Sequence, residues 1–105
     1  MEPGWAPDAC TLPTAEQPLR VAEFDALFAT SVRAVERSGP ARLRLALDPA
    51  PDVAARCAEL VARETRCCSF FTFTLTMTAG EVRLDVTVPD ARTDVLDALQ
   101  TRAVR

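Results

Sequence analysis

The chain has 105 residues, 49% of them hydrophobic and 26% charged, with a formal net charge of −3. That composition describes one globular domain with a single core. Its charge gives no general attraction to nucleic acid or to an anionic membrane surface. No apolar run approaches the roughly 18 residues that a membrane-spanning helix needs. Met1-Glu2-Pro3-Gly4-Trp5 lacks the basic start and apolar centre of a secretory signal. The expectation is a cytoplasmic protein with no nucleic-acid or membrane partner. Every basic residue is arginine, a bias that reflects a GC-rich bacterial genome more than a function. Histidine is absent. This excludes Ser-His-Asp and Cys-His catalysis, imidazole acid–base chemistry near neutral pH, and zinc sites that require histidine.

Residues 1–13 hold three prolines, a glycine and the single tryptophan, and read as an irregular arm ahead of a domain over 14–105. Thr14 and Gln17 have capping-box spacing, and Pro18 suits the first turn of a helix. Val21, Phe24, Leu27 and Phe28 then recur at helical spacing, predicting an amphipathic helix over about 18–28. Residues 30–37 fit two descriptions. Val32 and Val35 extend the helical period toward a stop at Ser38-Gly39-Pro40, or the segment is a strand entering a hairpin there.

An internal repeat decides for the strand. Arg42-Leu43-Arg44-Leu45-Ala46-Leu47-Asp48 matches Arg83-Leu84-Asp85-Val86-Thr87-Val88-Pro89. Both copies alternate apolar and polar residues, follow a glycine turn and precede a helical segment. The first copy's helix is predicted over about 52–65, with Asp52 as its N-cap and Val53, Cys57, Leu60 and Val61 as its buried stripe. In the second unit Phe71, Phe73, Leu75 and Met77 are expected to face the core. Thr72, Thr74, Thr76 and Thr78 face the other way, as residues that suit a strand. Ala79-Gly80 turns the chain, and Val82, Leu84, Val86 and Val88 bring it back. Asp90 is the expected cap of a last helix over about 91–103 that buries Val95, Leu96 and Leu99. The fold class is α+β: a leading helix, then two β-β-α repeats forming a four-stranded antiparallel sheet covered by helices on one face.

The chemistry lies in the cysteines. Cys10, Cys57, Cys67 and Cys68 contain no C-x-x-C pair, so zinc-ribbon and thioredoxin-type motifs are missing. In the cytoplasm free thiols are expected. Cys57, on the apolar stripe of its helix, reads as a small buried hydrophobe. Cys67 and Cys68 are expected at a helix-to-strand junction, where an irregular backbone can bring two neighbouring thiols to one side. Convergent thiols favour soft ions: Hg(II), trivalent arsenic, Cu(I), Cd(II) or Zn(II). Cys10, folding back from the arm, is the natural third ligand. The plain alternative is that Cys67 packs in the core and Cys68 is incidental. A helix C-terminus opposes thiolate formation, although Arg63 and Arg66 offset it. A bound ion deprotonates its thiol ligands directly, so ligation is favoured over nucleophilic catalysis. Glu64 is the nearest carboxylate, a proton donor or oxygen ligand in the functional reading and a helix-surface carboxylate paired with an arginine in the plain one. The threonine face with Arg83 and Asp85 reads as a solvated or dimer-forming sheet face.

Glu64-x-x-Cys67-Cys68-Ser69-Phe70-Phe71-x-Phe73-x-Leu75, with Cys10-x-Leu12-Pro13 upstream, resembles a family of small, mostly actinobacterial proteins. Their signature is Cys-Cys-[Ser/Pro]-Phe-Phe-x-Phe-x-Leu, and they occur alone or appended to MerR-type metal-responsive regulators. The resemblance covers roughly residues 10–103 and implies a functional link to such a regulator and to mercury or arsenic resistance. More distantly, the duplicated β-β-α pattern is similar to the fold of the copper-associated NosL proteins and of the organomercurial lyase MerB. The lyases use two separated cysteines and an aspartate. Cys67 or Cys68 matches a cysteine before an aromatic strand, but no aspartate matches by motif.

Three readings follow. The first is a cytoplasmic protein that binds Hg(II) or As(III) through Cys67 and Cys68, with Cys10 as third ligand. The second is a non-enzymatic, dimeric effector or interaction module whose cysteines are structural. The third is an organomercurial-lyase-like or thiol redox enzyme using Cys67, Cys68 and Glu64.

Overall fold

The computed structural model describes residues 17–67 and 70–104, with side chains over 22–66 and 70–104. The expected arm, the Thr14–Gln17 capping box and the Val21 side chain lie outside those residues. The chain runs α1 (Gln17–Ser31), β1 (Val32–Gly39), β2 (Arg42–Leu47), α2 (Pro51–Cys67), β3 (Thr72–Thr78), β4 (Glu81–Thr87) and α3 (Thr93–Ala103). The four strands form one antiparallel sheet in the order β1-β2-β4-β3. This is the α+β arrangement the alternation predicts, and residues 32–39 are strand. The leading helix is longer than its apolar period suggests, running to Ser31 and passing directly into β1.

Alternation along the central strands explains the layers. Leu43, Leu45 and Leu47 on β2 are buried, as are Val82, Leu84 and Val86 on β4, while the residues between them are only half-buried. One face of the sheet is therefore packed and the other is open. Phe24, Leu27 and Phe28 of α1, Val53, Cys57, Leu60 and Val61 of α2, and Val95, Leu96, Leu99 and Ala103 of α3 complete the core. The helix α1 packs against both other helices, α2 reaches β3, and α3 lies over β1 and β2. Ion pairs add to this packing: Arg63 to Glu23 at 3.0 Å ties α2 to α1 within the helical layer, and Arg37 to Asp97 at 2.8 Å ties β1 to α3 across the two layers.

The repeat shows as a local two-fold in the sheet. Arg42 aligns with Arg83, so Arg44 aligns with Asp85, and the β2–β4 register pairs these same two residues. The dyad relating the two β-β-α units thus passes beside the Arg44–Asp85 pair, where Nε donates to Oδ1 at 2.8 Å on the open face. Two copies of one residue type would meet there with like charge. Arginine in one copy and aspartate in the other make that contact attractive.

Three local expectations are corrected. Asp52 is not the N-cap of α2, because Pro51 already occupies the first helical position. Val53 and Ala54 donate to the Ala50 carbonyl, and the Ala50 N–H donates to Asp48 Oδ1 at 3.0 Å. Asp52 sits instead in the first turn, where its charge complements the helix dipole. Asp90 does not cap α3 either. It opens a 3-10 turn over Asp90–Arg92 that the backbone closes, with Arg92 N–H donating to the Pro89 carbonyl at 2.8 Å. Met77 pairs with Val82 and so shares the packed face, yet it is 63% exposed. It lies at the far end of an edge strand, beside a shallow groove with Pro49, Pro51 and Ala54 at the start of α2, where the sheet outruns its helical cover. Burial falls along β3, from Phe71 through half-buried Phe73 and Leu75 to Met77.

Candidate functional site

The stripe of α2 that faces the core runs Val53, Cys57, Leu60, Val61 and Glu64. This spacing keeps each residue three or four positions from the next along one helix face, apart from the adjacent Leu60 and Val61. Glu64 is 1% exposed, among the most deeply buried residues of the chain. The expected position on the helix surface is therefore corrected: Glu64 lies in the core. The arginine beside it in sequence, Arg63, points to Glu23 of α1. The pattern hid this because a glutamate at the end of an apolar stripe resembles the beginning of the solvent face. Carboxylates are seldom buried without partners, and Glu64 does have an interaction partner.

Cys67 is the last residue of α2, three positions after Glu64, and Cys68 follows it. The helix-to-strand junction expected for the pair is thus where α2 ends. The Cys67 side chain, Cys68, Ser69 and Cys10 lie outside the described positions. Among the described residues no group of three or more Cys, Asp or Glu side chains is arranged to hold a metal ion.

The exit from the junction is aromatic. Phe71 is 4% exposed and its ring centroid lies 4.7 Å from that of Phe70 and 5.1 Å from that of Phe73. The Arg92 guanidinium lies over the Phe70 ring at 5.1 Å, a cation–π contact. Sequence reasoning missed Arg92, because the 3-10 turn that carries it is remote in the chain and has no motif. Arg63, expected to offset the negative helix end, spends its charge on Glu23. Arg92 thus sets a cation beside the segment that follows the two cysteines, and Arg66 stands in the last turn of α2 before them.

Cys57 is distinct from this region. It is fully buried and free, and burial pushes its thiol from 9.0 up to about 11. A thiol so held is protonated at neutral pH and serves as a core hydrophobe. No family model, curated protein or solved structure matches the chain. Among the described residues, no helix is long and apolar enough to cross a membrane.

Proposed function

We propose that this is a cytoplasmic protein that binds a soft metal or metalloid ion, Hg(II) or As(III), through the thiolates of Cys67 and Cys68, with Cys10 as the third ligand. The carrying observation is the placement of the cysteine pair between two buried anchors. Glu64 lies one helical turn before it and Phe71 directly after the junction. In this reading the two anchors hold the ends of the segment so that its thiols share one coordination geometry when the ion binds. The motif around the pair resembles the actinobacterial proteins associated with MerR-type regulators, and this likeness supports a role in metal handling.

The helix end disfavours a free thiolate, so the pair is suited to capture by an ion that displaces the thiol protons. Cys57 takes no part, being protonated inside the core. Anaerobic titration of the reduced protein with Hg(II), followed by thiolate-to-metal charge-transfer absorbance, tests the proposal. One tight equivalent is expected, absent from the Cys67→Ser, Cys68→Ser variant. A Cys10→Ser variant that keeps the equivalent but changes the absorbance identifies the third ligand. Equal, weak uptake by wild type and double variant contradicts the proposal.

A further inference from the structure

We infer that the edge strand β3 is a homodimer interface: two copies of the chain pair antiparallel through Thr72–Thr78, with the two-fold axis at Leu75, joining their sheets into one of eight strands. The two sheet edges differ sharply. The β1 edge carries Arg33, Glu36 and Arg37 and has register irregularities near both ends, devices that discourage edge-to-edge pairing. The β3 edge has no charged residue, proline or glycine, and its pairing with β4 runs without a bulge. Among the described residues nothing pairs with its outer side.

The strand reads Thr-Phe-Thr-Leu-Thr-Met-Thr. It is palindromic about Leu75 except for the exchange of phenylalanine and methionine. Antiparallel self-pairing at Leu75 sets Thr72 opposite Thr78, Phe73 opposite Met77 and Thr74 opposite Thr76 of the partner copy. Threonine pairs are favourable cross-strand neighbours, Phe73 against Met77 sets a thioether beside a ring, and no like charges meet.

The backbone supports the same register. Ala79 and Gly80 have φ of 52° and 77°, which makes the β3–β4 connection a two-residue type I′ turn. Such a turn closes with a hydrogen bond between its flanking residues, here Thr78 and Glu81. Antiparallel bonding alternates, so Thr72, Thr74, Thr76 and Thr78 spend their N–H and C=O groups on β4. Those of Phe73, Leu75 and Met77 point outward. Pairing at Leu75 matches outward residues with outward residues at every position. The partner's strand would also extend the packed face just where its cover fails, over half-buried Phe73 and Leu75 and exposed Met77.

The test is sedimentation of the full chain with reductant and chelator present, which removes disulfide-linked and metal-bridged species and separates this inference from the thiolate proposal. Wild type should be dimeric. Thr74→Lys with Thr76→Lys, and separately Thr74→Glu with Thr76→Glu, place like charges opposite each other twice per interface and should abolish the dimer. An equimolar mixture of the two variants should restore it. Far-UV circular dichroism checks that each variant is folded. Met77→Lys, at an exposed position opposite Phe73, gives a milder single-site loss should either double variant be unstable. A wild type that is monomeric at all concentrations overturns the inference. So do variants that dimerise like wild type, or a mixture that stays monomeric.

Discussion

The buried thiol of Cys57 makes the alkaline stability of this domain predictable. The chain contains no lysine and no tyrosine, so between neutral pH and roughly pH 11 only cysteines and the α-amino group titrate. Unfolded, Cys57 loses its proton near 9.0, whereas in the fold it holds the proton up to about 11. Below 9.0 both states are protonated and stability does not depend on this group. Between 9.0 and about 11 the native state binds more protons than the unfolded state, so stability falls as pH rises. At about 1.4 kcal/mol per pH unit the loss is roughly 3 kcal/mol, a large share of the roughly 5–15 kcal/mol that holds a small domain folded. Cys57→Ala removes the titrating group and leaves a small cavity, costing about 1–2 kcal/mol at neutral pH. The two proteins should therefore converge, or cross, as pH approaches 11. Urea unfolding followed by circular dichroism, in reductant, at a series of pH values measures both curves. The other thiols are common to both proteins and cancel in the difference. A constant stability gap across the whole range would refute the assignment of Cys57 to a dry core.

Three further outcomes are expected. Ala79 takes a left-handed φ of 52° in a turn that favours asparagine before glycine. Ala79→Asn should raise stability by about 0.5–1 kcal/mol in urea unfolding, and a decrease would contradict the type I′ geometry. Glu64→Ala should cost roughly 2–3 kcal/mol by the same assay, through a lost packed side chain and the loss of its polar interaction. Arg66→Ala on the exposed side of the same helix should change stability by less than about 0.5 kcal/mol. Asp85→Arg should lower the melting temperature by setting three arginines together on the open face, where Asp85 now meets Arg44 and Arg83. Arg44→Asp combined with it should recover most of the loss, and recovery no better than additive would remove the dyad pair from the account.

Strand content and the two hairpins were legible because the signal is local, whereas the central β2–β4 pairing was not. Apolar–polar alternation in β2 and β4 reports a sheet with one buried face, and the duplicated pattern resolved the ambiguous residues 30–37. Cover was not legible. Met77 has the phase of a core residue, but its exposure depends on where α2 begins above it, which period-two alternation does not encode. Glu64 shows the converse: a charged residue type is buried because the helix stripe continues one turn past its last apolar member. The caps at Asp52 and Asp90 were misassigned because proline placement and a backbone-closed 3-10 turn supply the starts that capping side chains would otherwise provide. For the site, the sequence located the end of α2 at the cysteine pair. It gave no sign of the Arg92–Phe70 contact, which only the folded chain brings together.

The most direct test of the thiolate proposal is native mass spectrometry of the reduced protein after anaerobic addition of one equivalent of Hg(II) or arsenite, with Cys57→Ala and the Cys67→Ser, Cys68→Ser variant alongside. Wild type and Cys57→Ala are predicted to retain one ion against a competing monothiol, with loss of the thiol protons that coordination displaces, and the double variant to retain none. Retention by the double variant, or equal loss from all three proteins, would contradict a metal site at Cys67 and Cys68.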